Sequence, residues 1–437
     1  MNVSDWEGLR GRIEAGSARV CVIGQGYVGL SVAAGAAGAG MTVDGVDTDS
    51  TRIEGLASGR LVVPGVAEST FMIAFDTGRL RFTGDIAVAR HADVVLICVP
   101  TPVVDHRPDL SHIESAARSL APHLRPGALV VLESTTYPGS TEEVVQPLLE
   151  ASGLSAREDF LLAYSPERID PGNPKYDLAN TPRIVAGVSP EAGQAAAAFY
   201  SRLTPEVHVL TSCRAAELAK LLENTFRMVN IALVNELAIV CAEQGIDPWE
   251  VIDAAATKPF GFMPFYPGPG IGGHCIPLDP EYLAWQSRRA TGRRFRLVEL
   301  AQDVNAEMPA HVAARIAEAL NDRGRALRRA RILALGVTYK PDVGDIRESA
   351  AIAALRRLHR KGAVITFHDP FIANLDLDGN LLERIQLDEA ALAAADCVAL
   401  LTPHASYDVE WVVRHAALLF DARNATRDNR APHVVVL

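Results

Sequence analysis

The sequence predicts an α/β protein with two parallel-sheet units, one toward each end of the chain, joined by a helical segment built around one long helix. Three observations carry this. Apolar, β-branched runs separated by helix-length stretches recur through the first half. A stretch rich in alanine and leucine and free of proline and glycine then runs from about Ser212 to Gln244. After about Met308 the strand-and-helix alternation resumes. The expected domains are therefore residues 1–211, 212–307 and 308–437.

The first element is the most specific. Val20-Cys21-Val22-Ile23 leads into Gly24-Gln25-Gly26-Tyr27-Val28-Gly29 and on to a helix-compatible stretch, and a second apolar run, Thr42 to Val46, ends at Asp47. Strand, G-x-G-x-x-G turn, helix, strand and an acidic residue about twenty positions on make the fingerprint of a Rossmann-like dinucleotide site. The glycines permit the tight turn and close approach to a pyrophosphate, and the helix N-terminus favours that anion. Asp47 would accept from an adenosine ribose and repel a 2′-phosphate, which favours NAD over NADP.

Later strands of this half each end on a polar turn, where a parallel sheet presents its ligand groups. Val94 to Val99 ends at Pro100-Thr101-Pro102, Ala128 to Leu132 at Glu133-Ser134-Thr135-Thr136, and Phe160 to Tyr164 at Ser165-Pro166-Glu167. On the long helix Glu217, Lys220 and Asn224 share one face. A lysine on a helix is usually a solvated charge. Leu218, Ala219, Leu221 and Leu222 around this one favour partial burial, where an ammonium can stabilise an oxyanion or lower a thiol pKa. In the last third, runs at Arg331–Val337, Val364–Phe367 and Cys397–Leu401 read as strands of a second Rossmann-like unit. Lys340 and Arg347, which follow its first strand, are either phosphate ligands or rim charges.

Between the units lies Pro267-Gly268-Pro269-Gly270-Ile271-Gly272-Gly273-His274-Cys275-Ile276-Pro277-Leu278-Asp279-Pro280. Its glycines let the backbone approach a ligand closely and its prolines stiffen the turn. A thiol held this way, with a carboxylate four residues on, suits covalent capture of a carbonyl carbon; the bland alternative is a surface loop with an inert cysteine. His274 beside Cys275 does not make a metal pair, because no further His/Cys cluster has ligand spacing.

Composition narrows the class. At 437 residues, 49% hydrophobic and 22% charged, the chain reads as an ordinary globular protein of two or three domains. Its six cysteines lack pairing spacings, and Cys21, Cys98 and Cys397 sit inside apolar runs, which points to a reducing cytoplasm. The start of the chain lacks a basic-then-apolar signal pattern, and apolar stretches are interrupted short of a membrane span. A net charge of −11 argues against nucleic acid or an anionic membrane as partner, while anionic small ligands remain open.

Taken together, these motifs from Val20 to Asn424 resemble the UDP-glucose/GDP-mannose dehydrogenase family, which oxidises a sugar C6 alcohol to a carboxylate with two NAD⁺. The resemblance implies an N-terminal NAD-binding domain, a central helical domain forming the core of a homodimer, and a C-terminal UDP-binding domain. It casts Cys275 as the nucleophile that holds the aldehyde as a thiohemiacetal and then a thioester. Lys220 would stabilise the oxyanions, Asn224 and Asp279 would position water and substrate, and Thr135 and Glu167 would complete the proton network. Thr101, Ser134 and Thr135 would line the nicotinamide end, Arg52 would reach the adenosine ribose, and Arg347 the NAD pyrophosphate. Glu167, Arg168, Lys220 and Asn224 would meet the substrate, Lys340 would bind its UDP part, and the backbone clamp would fall at Pro264, Phe265, Tyr266, Pro267, Gly268 and Gly272.

Two departures shift the expected sugar. UDP-glucose members carry a second glutamate where this chain has Pro171, and their cross-dimer arginine falls near Lys258-Pro259. Pro-Glu-Arg-x-x-Pro-Gly-Asn, Lys258 to Pro267 and Gly-Gly-His-Cys-Ile-Pro look like the branch acting on UDP-N-acetylhexosamines, first UDP-N-acetyl-D-glucosamine, then UDP-N-acetyl-D-mannosamine, for a surface polysaccharide; UDP-glucose comes last. Two readings from other classes are weaker. A silent nucleotide sensor would not be expected to keep Cys275, Lys220, Asn224 and Asp279 together, and a two-electron hydroxy-acid dehydrogenase leaves the cysteine loop unexplained.

Overall fold

The computed structural model describes residues 6–63, 66–104, 107–170, 173, 175–273 and 275–437; Pro171 and His274, singled out above, lie outside the described residues. The chain packs as two units, residues 1–223 with 281–293, and residues 224–280 with 294–437. The sequence reading set the central segment apart at 212–307. The division into two compact units is a separate one: it falls inside the long helix, Cys213–Gln244, and residue 308 lies inside the helix Arg296–Asn321. Pro309 lies inside this helix.

In the first unit the strands are β1 (Arg19–Ile23), β2 (Thr42–Val46), β3 (Leu80–Thr83), β4 (Val94–Ile97), a short antiparallel ribbon of β5 (Val103–Val104) and β6 (Arg107–Pro108), β7 (Leu129–Leu132), β8 (Leu161–Tyr164), β9 (Arg183–Gly187) and β10 (Val207–Val209). The main sheet runs β10-β9-β8-β7-β4-β1-β2-β3, with every neighbour pair parallel except β8–β9. β4, β7 and β8 are buried along their whole length, which is why they read as unbroken apolar runs. Sheet order reverses at β1, so the crevice for a ligand opens at the end of β1, where the glycine turn begins. The antiparallel β9 brings Arg183 to the carboxyl ends of its parallel neighbours.

In the second unit the strands are β11 (Arg331–Leu335), β12 (Val364–His368), β13 (Asn374–Leu377), β14 (Asn380–Glu383), β15 (Cys397–Leu400), β16 (Leu419–Asp421) and β17 (Val434–Val436). A parallel sheet runs β12-β11-β15-β16-β17, its order reversing at β11. β13 and β14 form a hairpin whose Asp378-Gly379 corner has both residues at positive φ, the backbone that two-residue turns of this twist require.

The long helix is 32 residues and is apolar enough by length and composition to cross a membrane. Its buried Glu217, Lys220, Asn224 and Asn235 are the polar contacts of a core helix. Glu217 is fully buried and caps the turn after β7: Oε2 accepts from Gly139 N (2.6 Å), and Oε1 from Thr141 N (2.9 Å) and Thr141 Oγ1 (2.7 Å). Burial pushes its carboxyl from 4.5 to about 7 against these donors. A folded pKa above the unfolded one adds stability that is complete below about 4.5 and lost as pH rises to about 7, at most about 3 kcal/mol. Urea unfolding at pH 5 and pH 7.5 is expected to show this fall. Glu217→Gln should flatten it; an unchanged slope would rule the group out as its source.

Candidate active site

The glycine turn folds as the fingerprint requires. Gly24 has φ +93°, and a Cβ there would lie 2.5 Å from the Cys98 carbonyl oxygen; a Cβ at Gly29 would lie 1.8 Å from the Gly24 oxygen. At Gly26 a Cβ would meet nothing within 4 Å, so the turn leaves an open approach at the start of the helix Tyr27–Gly38, where Tyr27 and Val28 form the first turn. Asp47, buried at the end of β2, accepts from Gln25 N at Oδ2 (2.7 Å) and from Asp49 N at Oδ1 (2.9 Å). Arg52 Nη1 lies 2.9 Å from Asp47 Oδ2, so the arginine expected at the ribose is paired with the aspartate expected there. Oδ2 is taken up by Gln25 N and Arg52, while Oδ1, with one donor, keeps a lone pair for a ribose hydroxyl. These residues fit an NAD adenosine and pyrophosphate.

The strand-end groups of the first unit form a connected polar array. Ser134 Oγ donates to Val99 O (2.8 Å), and the carbonyl of buried Thr101 accepts from Tyr282 Oη (2.6 Å). Thr135 is half-buried beside Thr136, whose buried Oγ1 has no hydrogen-bond partner among the described residues. Glu167 is fixed at both oxygens: Oε1 accepts from Arg168 N (2.7 Å) and Ile169 N (2.5 Å), and Oε2 from Arg183 Nη2 (2.6 Å). Arg168 in turn donates to Pro182 O (2.7 Å) and pairs with Glu223 (2.8 Å), three residues along the helix from Lys220. Lys220 is 7% exposed, as expected, although of the apolar neighbours that suggested it Leu221 is buried while Leu218 and Leu222 are exposed.

Behind Glu167 lies a buried group that the sequence reading missed. Arg183 spans Glu167 and Glu133, Tyr200 Oη donates to Glu133, and Cys98 Sγ lies 3.7 Å from the same carboxylate. Burial pushes Glu133 up to about 7, Arg183 opposing; burial likewise raises Cys98 well above the ordinary thiol range, so it behaves as an inert core thiol.

In the second unit Cys275 is exposed and is the first residue of the helix Cys275–Thr291. One turn on, Asp279 Oδ2 accepts from Asn224 Nδ2 (2.5 Å), and both side chains are buried. The glycine loop before the cysteine is seated on the turn after β11: Gly273 N donates to Arg347 O (3.0 Å), and a Cβ at Gly272 would lie 2.6 Å from Glu348 O. Gly268 N donates to Asn235 Oδ1 (3.0 Å), and Asn235 is held by Asn305 (2.9 Å). Tyr266 Oη donates to Asp253 (2.7 Å), Phe265 packs edge-on against Phe226 with ring centres 5.8 Å apart, and Pro264 is exposed while Pro267 is buried. Arg347, expected at a pyrophosphate, makes a two-pronged pair with Asp345 (Nη2 to Oδ2 2.6 Å), which raises its pKa; Lys340 is half-buried in the same turn.

Sequence reading also passed over Asn235 and Arg423. Arg423, two residues after β16, points at Gly268, where a Cβ would lie 2.2 Å from its Nη1. Its signal was the polar end of a buried strand, Asp421-Ala422-Arg423-Asn424, the rule applied to the first unit and not to the second. The described residues contain no group of three or more metal-ligating side chains.

Two nucleotide folds in one chain, one with an open glycine turn and one seating a cysteine loop, define a nicotinamide-dependent dehydrogenase of a nucleotide-linked substrate. Comparison with known proteins makes this specific. Models of the UDP-glucose/GDP-mannose dehydrogenase family match in three consecutive parts: the NAD binding domain at 18–204, the central domain at 214–307 and the UDP binding domain at 333–428. The UDP-N-acetyl-D-mannosamine dehydrogenase of Escherichia coli (strain K12) is 38% identical over 410 residues, 90% of this chain and 95% of the relative. The UDP-N-acetyl-D-glucosamine 6-dehydrogenase of Pseudomonas aeruginosa is 36% identical over 361 residues, 82% of this chain and 84% of the relative. The solved UDP-D-ManNAc dehydrogenase of Pyrococcus horikoshii superposes with a TM-score of 0.86 at 32% identity, covering 96% of this chain and 98% of that one.

The chain belongs to the UDP-glucose/GDP-mannose dehydrogenase family. It is an NAD-dependent oxidoreductase of UDP-sugars, with two parallel-sheet α/β domains and a helical central domain.

Proposed function

We propose that the chain oxidises the C6 alcohol of a UDP-N-acetylhexosamine to the carboxylate in two steps on one thiol. The observation that carries this is Cys275 at the start of a helix, with the buried Asp279–Asn224 pair one turn along. When bound, NAD takes up two electrons from C6 in each step. Between the steps Cys275 adds to the aldehyde carbon as a thiohemiacetal, so the aldehyde is never released; oxidation leaves a thioester. Water then displaces the sulfur, giving the carboxylate and a free thiol. In sum, one alcohol, two NAD⁺ and one water give one carboxylate, two NADH and three protons. Lys220 stabilises the oxyanion at C6, and Asn224 with Asp279 orients the hydrolytic water. Thr135 and the doubly anchored Glu167 complete the proton network, and Lys340 takes the UDP phosphates.

Two sugars fit. The E. coli and P. horikoshii relatives favour UDP-N-acetyl-D-mannosamine, whereas the sequence expectation of UDP-N-acetyl-D-glucosamine has the P. aeruginosa relative on its side. The deciding measurement is NADH formed with each of these, UDP-N-acetyl-D-galactosamine and UDP-glucose. Two NADH per sugar from one acetylated epimer supports the reading; turnover of UDP-glucose alone would overturn it.

The reading extends to a cytoplasmic homodimer supplying a uronate for a surface polysaccharide. Leu218, Leu222, Phe226, Leu233 and Val240 are each more than 40% exposed along the long helix, a stripe that a second copy would cover. Leu233→Glu is expected to shift the sedimentation coefficient from dimer to monomer; wild-type protein that sediments as a monomer would refute the pairing.

A further inference from the structure

The turn that carries Lys340 is held by a buried histidine that no step above uses. After β11 the chain runs Val337-Thr338-Tyr339-Lys340-Pro341-Asp342, and Asp342 sits at φ +60°, the left-handed region, which costs a residue with a side chain about 1 kcal/mol more than it costs glycine. His404, 2% exposed in the loop after β15, supplies the hold: its Nδ1 accepts from Asp342 N (2.9 Å). A donor at Nδ1 leaves that nitrogen unprotonated, so Nε2 bears the hydrogen and donates it to Asp369 Oδ2 (3.0 Å). Asp369, fully buried at the end of β12, also accepts from Val337 N (2.8 Å) at the base of the turn and from Phe371 N (2.9 Å). Asp342 Oδ1 closes the ring by accepting from Ala405 N (2.9 Å), and Thr338 Oγ1 donates to the Lys340 carbonyl (3.0 Å). Phe371 and Tyr407 pack on the imidazole with ring centres 5.2 and 5.6 Å away, which fixes its plane.

Three strand-end loops of the second unit therefore converge on one neutral imidazole, and its lone pair selects the left-handed Asp342. We propose that His404 is a positioning residue for substrate binding: it sets the direction in which Lys340 leaves the turn. The inference rests on the reading of Lys340 as a contact to the UDP phosphates.

Steady-state kinetics at saturating NAD test it. His404→Gln can still reach Asp369 but places no acceptor at the Nδ1 position; His404→Asn places its carbonyl there. His404→Gln is expected to raise KM for the UDP-sugar about tenfold, the scale of one lost charge-assisted contact, with kcat and KM for NAD little changed. His404→Asn should recover most of that. Asp342→Gly removes the need for the hold, because glycine adopts positive φ unaided; His404→Gln in the Asp342→Gly background should therefore bind substrate nearly normally, and it keeps the test valid if His404→Gln alone folds poorly. An unchanged KM in His404→Gln, equal defects in the Gln and Asn variants, or no rescue by glycine would each overturn the proposal. Lys340→Ala separates the two layers: an unchanged KM there removes the underlying reading of Lys340, and a KM raised in Lys340→Ala but unmoved in His404→Gln removes only the role of the histidine.

Discussion

Cys275→Ala is expected to lower turnover of the UDP-N-acetylhexosamine by about 10³-fold or more, with the fold and NAD affinity intact. The size follows from what the thiol does. Without covalent capture the aldehyde is free to leave before a second oxidation, and the only oxidation left to it in place is that of its hydrate, which the thiol does not hold. Residual NADH should therefore approach one per sugar consumed rather than two, with aldehyde trapped by a hydrazine probe. Because Cys275 is exposed at the beginning of a helix, its removal costs no core packing, and thermal melting should match wild type. Intact-protein mass after acid quench gives a second readout, since a sugar-nucleotide adduct should appear in wild type and vanish in the variant. Full activity in Cys275→Ala would end the two-step mechanism.

Lys220→Met is expected to lower kcat by about 10²- to 10³-fold, the scale of one lost oxyanion donor in a water-poor site. Lys220 is 7% exposed on the long helix, and methionine preserves most of its length and burial, so the loss is of charge rather than of packing. In the proposed mechanism the ammonium acts where negative charge develops at C6, so the defect should fall on kcat while KM for NAD stays near wild type. Lys220→Arg restores charge with a wider head and should recover only part of the rate. A variant whose kcat is within a few-fold of wild type would place the oxyanion stabilisation elsewhere.

Much of this site was legible before any coordinates because it is built from local signals. The glycine turn, the strand feeding it and Asp47 lie within thirty residues of one another, and each follows from steric need. The strand-end rule likewise exposed Thr101, Ser134, Thr135 and Glu167, because buried parallel strands are continuous apolar runs with abrupt polar ends. Boundaries moved slightly for the same reason: Val94–Val99 and Arg331–Val337 shortened to Val94–Ile97 and Arg331–Leu335, because apolarity outlasts the ladder hydrogen bonds that end a strand.

The sequence by itself determined the family and the cofactor class and named the candidate chemistry-bearing side chains, because short-range pattern and residue type suffice for those. Tertiary structure alone decided what holds them. Glu217 caps a turn 76 and 78 residues away, Arg183 reaches Glu167 only because β9 runs antiparallel, Arg347 turns to Asp345, and Asp369 with His404 grips a turn more than thirty residues from either along the chain. Such pairs leave no periodicity to read: a buried donor takes whichever acceptor the packed sheet brings within reach, and that choice exists only once the strands have found their order.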